Sequence, residues 1–61
     1  MTPKQFKSNR KALNLTQSEL AHKLGLSPKN GANYIRMIEK GDKTPSGVLI
    51  RCFEYLIESV G

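Results

Sequence analysis

The chain has 61 residues, of which ten are Lys or Arg and five are Asp or Glu, so its formal net charge is +5. This length predicts one domain, residues 1–61, near the lower size limit for a core without disulfides or metal. A single cysteine excludes an intramolecular disulfide, and no apolar run approaches the roughly 20 residues that span a membrane. We therefore expect a soluble cytoplasmic protein. The basic charge favours nucleic acid as partner, although many ribosomal and membrane-surface proteins are equally basic.

The first predicted helix begins at Thr2 and Pro3 and ends near Leu13. Threonine is a good N-cap, and proline already has the φ of a first helical residue. Asn14 then stops the helix, because asparagine tolerates the left-handed conformation in which many helices end.

Thr16 and Glu19 indicate the start of a second helix. At this spacing the threonine hydroxyl and the glutamate carboxylate can each accept a hydrogen bond from a backbone N–H of the first turn, the arrangement called a capping box. Leu20 and Leu24 then repeat at helical spacing, and Gly25 ends the helix. The sequence therefore predicts a helix of about two turns.

A third helix is predicted after a tight turn. Ser27 is the expected N-cap and Pro28 the expected first residue, so the helix covers about residues 28–40. Ile35 marks the centre of its buried face at about 100° per residue. The opposite face, with its positively charged flanks, consists of Lys29, Asn30, Asn33, Arg36, Met37 and Lys40.

The last predicted helix covers residues 48–60, with Ser46 as its N-cap. It is apolar over most of its circumference, so two of its sides need to be covered. We expect one side to pack on a core of Phe6, Leu13, Leu20, Leu24, Ile35 and Ile38. We expect the other to pair with the same helix of a second subunit through Tyr55, Leu56, Ile57 and Val60. The alternative is that the additional apolar residues of this helix belong to the core of a very small domain. In either case Cys52 is expected to pack as a small hydrophobe.

These residues resemble the helix-turn-helix domains of phage repressors of the Cro/cI, or XRE-like, kind. The resemblance covers about residues 6–56 and rests on Leu15, Thr16, Gln17, Glu19, Leu20, Ala21, Leu24, Gly25, Leu26, Ser27, Ile35, Ile38, Glu39, Gly41, Pro45 and Ser46. It implies an all-α fold, a compact lambda-repressor-like domain of four to five helices. The chain departs from the commonest members by about four additional residues between Gly25 and Ile35, so the turn or the start of the third helix is longer.

The resemblance implies a sequence-specific DNA-binding transcription regulator whose third helix enters the major groove. We expect a homodimeric repressor that binds a pseudo-palindromic operator and autoregulates a phage or mobile-element operon. No cofactor and no small-molecule ligand are expected. The alternative is a helix-turn-helix scaffold that binds a protein partner through its last helix, with weak or no DNA binding. RNA binding is disfavoured because aromatic stacking platforms are lacking.

Contacts to DNA can be assigned from side-chain chemistry and from the resemblance. Asparagine can read adenine, arginine can read guanine and methionine can contact a thymine methyl, so base contacts are expected from Asn30, Asn33, Arg36 and Met37. Tyr34 could either contact a thymine methyl or be buried. Phosphate contacts are expected from Thr16, Gln17, Lys29, Lys40, Lys43 and Ser46. In the resembling family an ion pair joins the positions of Arg10 and Glu39.

No pattern of catalytic or metal-binding residues stands out in the sequence. It contains no Ser/His/Asp set, no paired carboxylates and no glycine-rich phosphate loop. His22 is the only histidine and has no second ligand at metal-binding spacing. We therefore expect neither enzymatic activity nor a metal site.

Overall fold

Four α-helices follow one another in the computed structural model, which describes residues 1–60 and, for Val60, only the backbone. They are α1, Pro3–Ala12; α2, Gln17–Lys23; α3, Gly31–Lys40; and α4, Gly47–Val60. Residues 1–60 contain no β-strand. The prediction of an all-α fold of four to five helices is therefore confirmed.

The first two helices begin with the same hydrogen-bonded arrangement. Thr2 Oγ1 accepts from the Gln5 N–H at 3.1 Å, and Gln5 Oε1 accepts from the Thr2 N–H at 2.9 Å. Thr16 and Glu19 repeat this reciprocal pair at 3.1 and 2.8 Å. The backbone N–H of Thr16, and then its hydroxyl, lower the pKa of the Glu19 carboxyl because both stabilise the carboxylate. Both capping boxes satisfy N–H groups that a first turn otherwise leaves unpaired.

The first three helices end in the same way, with a left-handed residue followed by a hydrogen bond back into the last turn. The left-handed residues are Asn14, Gly25 and Gly41, with φ of 58°, 75° and 89°. The next N–H in each case donates to a carbonyl five residues earlier, as in a Schellman motif: Leu15 to Arg10, Leu26 to Ala21, and Asp42 to Met37. Asparagine thus performs after α1 the role that glycine performs after α2 and α3.

The four helices enclose one apolar core. It consists of Phe6, Leu20, Ala21, Ile35, Ile38, Leu49 and Phe53, and Leu13 and Leu24 pack against it partly buried. The Phe6 and Phe53 rings meet edge to face, with their centroids 4.7 Å apart, and so join α1 to α4. Since α3 contributes Ile35 and Ile38 to this core, the opposite side of α3 faces outward.

The third helix begins at Gly31, so the prediction of Ser27 as N-cap and of a helix over residues 28–40 is wrong at its N-terminal end. Residues 28–30 form a turn instead, in which the Gly31 N–H donates to the Ser27 carbonyl at 2.7 Å. The Ser27 hydroxyl accepts from the Lys29 N–H at 3.3 Å, within the turn. The additional residues before Ile35 therefore lengthen the turn and leave α3 short.

Close packing explains where α3 begins. A Cβ atom on Gly31 would lie 2.8 Å from Ala21 Cβ and 3.0 Å from Leu26 Cβ. Only glycine lets the first turn of α3 approach α2 this closely. This contact determines where α3 begins despite the capping signal of Ser27. Packing between helices contributes more to stability than an N-cap, which contributes about 1 kcal/mol.

The apolar residues of α4 are shared between the core and the surface. Leu49 and Phe53 are buried, and Leu56 and Ile57, two of the expected dimer residues, already pack partly against the core of their own chain. Tyr55 is 72% exposed and Val48 75%. The side chain of Val60, the fourth expected dimer residue, lies outside what the structure describes. The expectation that Cys52 packs inside is wrong, because Cys52 is exposed.

Candidate nucleic-acid interface

Helices α2 and α3, with the turn between them, form a packed pair in which one side of α3 faces outward. The contact of Gly31 with Ala21 and Leu26 holds the start of α3 against α2. Ile35 and Ile38, both fully buried, hold the rest of the helix on the core. A helix anchored along one side presents the other side at fixed positions, which a reader of base edges requires.

The far end of α3 is held by a buried network of charged and polar groups. Arg10 Nε donates to Glu39 Oε2 at 2.7 Å and Arg10 Nη2 donates to Glu39 Oε1 at 3.2 Å. Arg10 Nη1 donates to the Leu15 carbonyl at 2.8 Å, and Gln17 Nε2 donates to Glu39 Oε1 at 3.2 Å. One carboxylate thus joins α1, the start of α2 and the end of α3. The network fixes where α3 ends relative to α2, as Gly31 fixes where it begins.

Three of the four expected base-contact residues lie together on the outward side of α3. Arg36 Nη2 donates to Asn33 Oδ1 at 2.8 Å, and Asn33 Nδ2 lies 3.7 Å from Met37 Sδ. Asn33 and Arg36 are exposed and Met37 is half-buried. The fourth, Asn30, is the N-cap of α3, where its side chain makes no capping hydrogen bond. Asn30 therefore precedes the helix that it was expected to be part of.

Two expected phosphate contacts lie at the start of α2, beside the end of α3. Thr16 is the N-cap of α2, and its hydroxyl oxygen accepts from the Glu19 N–H. Gln17 is half-buried, and its amide donates to Glu39. Gln17 is therefore part of the internal network as well as a candidate for contact with DNA.

The remaining expected phosphate contacts lie before α3, on its last turn and after it in the chain. Lys29 is exposed in the turn before α3, and Lys43 is exposed in the loop after it. Lys40, on the last turn of α3, forms an exposed salt bridge of 3.5 Å with Asp42, a type of contact that contributes little to stability. The Ser46 hydroxyl accepts from the Leu49 N–H at 3.2 Å, so Ser46 caps α4 as predicted.

Two features of this surface have no counterpart in the sequence analysis. The Gln17 contact with Glu39 joins residues far apart in the chain, and no local pattern signals it. The close approach at Gly31 had a weak signal, since Gly31 and the small residue Ala21 both fall on buried faces. For Tyr34, where two interpretations were open, the structure shows a partly buried ring packed against the core.

Residues 1–60 also show no metal-binding cluster and no membrane-spanning helix. Among residues 1–60, no group of three or more His, Cys, Asp or Glu side chains is placed to hold a metal ion. Within the same range, every helix is too short or too polar to cross a membrane.

Comparison with known proteins identifies the family. Residues 6–51 match a family model described as helix-turn-helix, a range that extends from α1 into α4. No curated protein and no solved structure gives a significant match to the chain. The matched range covers most of the chain and contains both helices of the packed pair and the turn between them. The chain therefore belongs to the helix-turn-helix family of the XRE, or Cro/cI, type, a family of DNA-binding transcription regulators.

Proposed function

We propose that this chain is a homodimeric transcriptional repressor that places α3 in the major groove of a pseudo-palindromic operator. The observation that carries the proposal is the outward side of α3, where exposed Asn33 and Arg36 stand on a helix anchored by Ile35 and Ile38. Polar side chains on a rigid helix can reach base edges at fixed positions in the groove.

The proposed base contacts come from the turn before α3 and from its outward side. Arg36 forms no salt bridge within residues 1–60 and donates one hydrogen to Asn33, so its remaining N–H groups are available to a base. Asn30 has no side-chain capping bond, which leaves its amide available. The proposed base-contact residues are Asn30, Asn33, Arg36 and Met37.

The proposed phosphate contacts come from the start of α2 and from residues before, on and after α3. Gln17 uses one amide hydrogen toward Glu39 and has a second. The Ser46 hydroxyl accepts a capping bond and can donate its hydrogen to a phosphate, whereas Thr16 shares its hydroxyl hydrogen with the Glu19 carboxylate. A net charge of +5 supports contact with a polyanion. The proposed phosphate-contact residues are Thr16, Gln17, Lys29, Lys40, Lys43 and Ser46.

The homodimer is proposed through the exposed side of α4. Val48 and Tyr55 are seven residues apart, so they lie on one side of the helix, and both are more than two-thirds exposed. Large apolar side chains at this spacing favour a helix-to-helix contact, and a second copy would bring a second α3 to the DNA. Leu56 and Ile57 would contribute from the edge of the contact, since they are partly packed already.

Repression would follow from occupancy of an operator that overlaps a promoter. We place this activity in the cytoplasm, in an autoregulated operon of a phage or mobile element, with residues 1–61 acting as one DNA-binding domain. Membership of the chain in a family of DNA-binding transcription regulators supports this context.

The test is a gel shift with the DNA upstream of the protein's own gene, beside a shuffled duplex of the same length and composition. We expect binding to the upstream duplex at least about a thousandfold tighter than to the shuffled one at physiological salt, because specific sites typically differ from random DNA by this much. Equal binding to the two duplexes would contradict the proposal.

A second candidate function is supported by the same exposed pair on α4. Val48 and Tyr55 could instead receive a different protein, in a scaffold with little affinity for DNA. The gel shift separates the two functions, because the interaction module has no preference for the upstream duplex.

A further inference from the structure

The side-chain amide of Asn33 has an intramolecular neighbour at each end. Its Oδ1 accepts from Arg36 Nη2 at 2.8 Å, and its Nδ2 lies 3.7 Å from the sulfur of Met37. Residues three and four apart are neighbours on a helix surface, so α3 itself brings the three side chains together. The orientation of the amide is therefore set within the protein.

Arg36 is held by its hydrogen bond to Asn33. Within residues 1–60 it has no acidic partner, and Lys40, four residues further along α3, has the same charge. An arginine loses much rotamer freedom when it is fixed against a base, and a preformed hydrogen bond reduces this loss. Asn33 provides this preformed hydrogen bond.

Adenine recognition would compete with this arrangement. An asparagine reads adenine by accepting from N6 with Oδ1 while it donates to N7 with Nδ2. Here one of the two lone pairs of Oδ1 already accepts from a charged guanidinium, a stronger donor than the amino group of a base, so an adenine would have to share the oxygen with Arg36. Arg36, in contrast, keeps the Nη1 hydrogens and the second Nη2 hydrogen, which can reach O6 and N7 of guanine together.

We propose that Asn33 is a positioning residue for Arg36 and that the two side chains specify one and the same base pair, a guanine–cytosine pair read by Arg36. Of the proposed base-contact residues, Asn33 then acts through Arg36 and has no adenine of its own. The inference rests on the proposed function and deepens it, because it assigns the base that the centre of α3 recognises.

A double-mutant cycle tests the inference. The parent, Asn33→Ala, Arg36→Ala and the double variant each select from a library of randomised duplexes, and their affinities for the parent's preferred duplex are then measured by competition. We expect Arg36→Ala to bind that duplex about 5- to 150-fold more weakly and to lose the guanine preference at one base pair. Asn33→Ala should relax the same base pair by a smaller factor. The double variant should bind as Arg36→Ala does.

A conservative variant separates positioning from direct reading. Asn33→Asp keeps an oxygen that accepts from Arg36 but cannot donate to adenine N7. We expect it to keep the guanine preference, while its added negative charge weakens specific and random duplexes by a similar factor. Ser8→Ala, an exposed change on α1, is the control and should keep the parent's profile.

Three results would overturn the inference while the proposed function stands, since the parent still selects a sequence. In the first, Asn33→Ala relaxes a different base pair from Arg36→Ala. In the second, the two losses multiply in the double variant. In the third, Asn33→Asp loses the guanine preference. A parent that selects no sequence at all would overturn the proposed function and the inference with it.

Discussion

The Arg10 guanidinium and the Glu39 carboxylate form a buried ion pair that joins α1 to the end of α3. Their closest atoms, Nε and Oε2, are 2.7 Å apart, and the two side chains are only 10% and 5% exposed. The Leu15 carbonyl and the Gln17 amide satisfy further hydrogen-bonding positions of the pair. Removing either charge therefore leaves the other one buried without an opposite charge.

Loss of this pair should unfold most of the protein near body temperature. We expect Glu39→Ala to lower the free energy of unfolding by about 3–5 kcal/mol, which is comparable with the whole stability of a small domain. Glu58→Ala, an exposed change on α4, should stay within about 0.5 kcal/mol of the parent. Thermal melts followed by circular dichroism measure both. If Glu39→Ala melts within a couple of degrees of the parent, the ion pair does not support the fold.

The close approach of α2 and α3 should make Gly31 intolerant of even one methyl group. We expect Gly31→Ala to destabilise the protein by about 1–3 kcal/mol, because its Cβ would meet two other Cβ atoms that cannot move without their backbones. Gly47→Ala is the matched control, since a Cβ there meets nothing within 4 Å. It should be neutral or stabilising by up to about 1 kcal/mol. Equal melting temperatures for the two variants would contradict the packing explanation of where α3 begins.

The capping box of α2 should make stability depend on pH through Glu19. Its pKa is lower in the folded protein than in the unfolded chain, so its contribution is present above the unfolded-state pKa and is lost as the pH falls through the folded-state pKa. Glu19→Gln keeps a capping side chain without the charge, as Gln5 does in α1. Melts from neutral to acidic pH should therefore show the parent losing stability relative to Glu19→Gln.

The control for this experiment is Glu54→Gln, which removes an exposed carboxylate in the middle of α4, away from any capping position. Its melting temperature should keep a constant offset from the parent across the same pH range. A constant offset for Glu19→Gln as well would mean that the charge of Glu19 has no part in capping.

Lys43 and Arg36 should differ in how their loss affects DNA binding. Lys43→Ala should weaken specific and random duplexes alike and reduce the slope of log affinity against log salt by about one, because a phosphate contact is lost. Arg36→Ala should reduce the preference for the specific duplex. Titrations of both duplexes at several salt concentrations measure these effects. A Lys43→Ala variant that loses only specific binding would show that Lys43 contacts bases and not phosphates.

The proposed dimer is best tested at Tyr55. An Ile57→Glu change would also disturb the core, because Ile57 packs partly against it, whereas Tyr55 is 72% exposed. We expect Tyr55→Glu to be a folded monomer with most of its operator affinity lost, since one half-site rarely suffices. Sedimentation with and without operator DNA measures this. A parent that remains monomeric in both conditions at high micromolar concentration would exclude the dimer.

Much of the fold could be predicted from the sequence because its signals act over a few residues. The capping boxes at Thr2 and Thr16 and the left-handed positions at Asn14 and Gly25 involve hydrogen bonds between residues at most five apart. Such bonds form within one turn of helix and depend little on the rest of the chain. The helical order, the buried side of α3 and the family resemblance follow from these signals together with the spacing of apolar residues.

The tertiary structure decided what depends on residues distant in the chain. Ser27 and Pro28 have the chemistry of a helix start, yet α3 begins at Gly31, where the backbone meets Ala21. The partner of the Gln17 amide and the packing of Leu56 and Ile57 against their own core were likewise outside the reach of local patterns. A capping signal contributes about 1 kcal/mol, whereas the packing of one helix on another sums many contacts, so packing prevails wherever the two disagree.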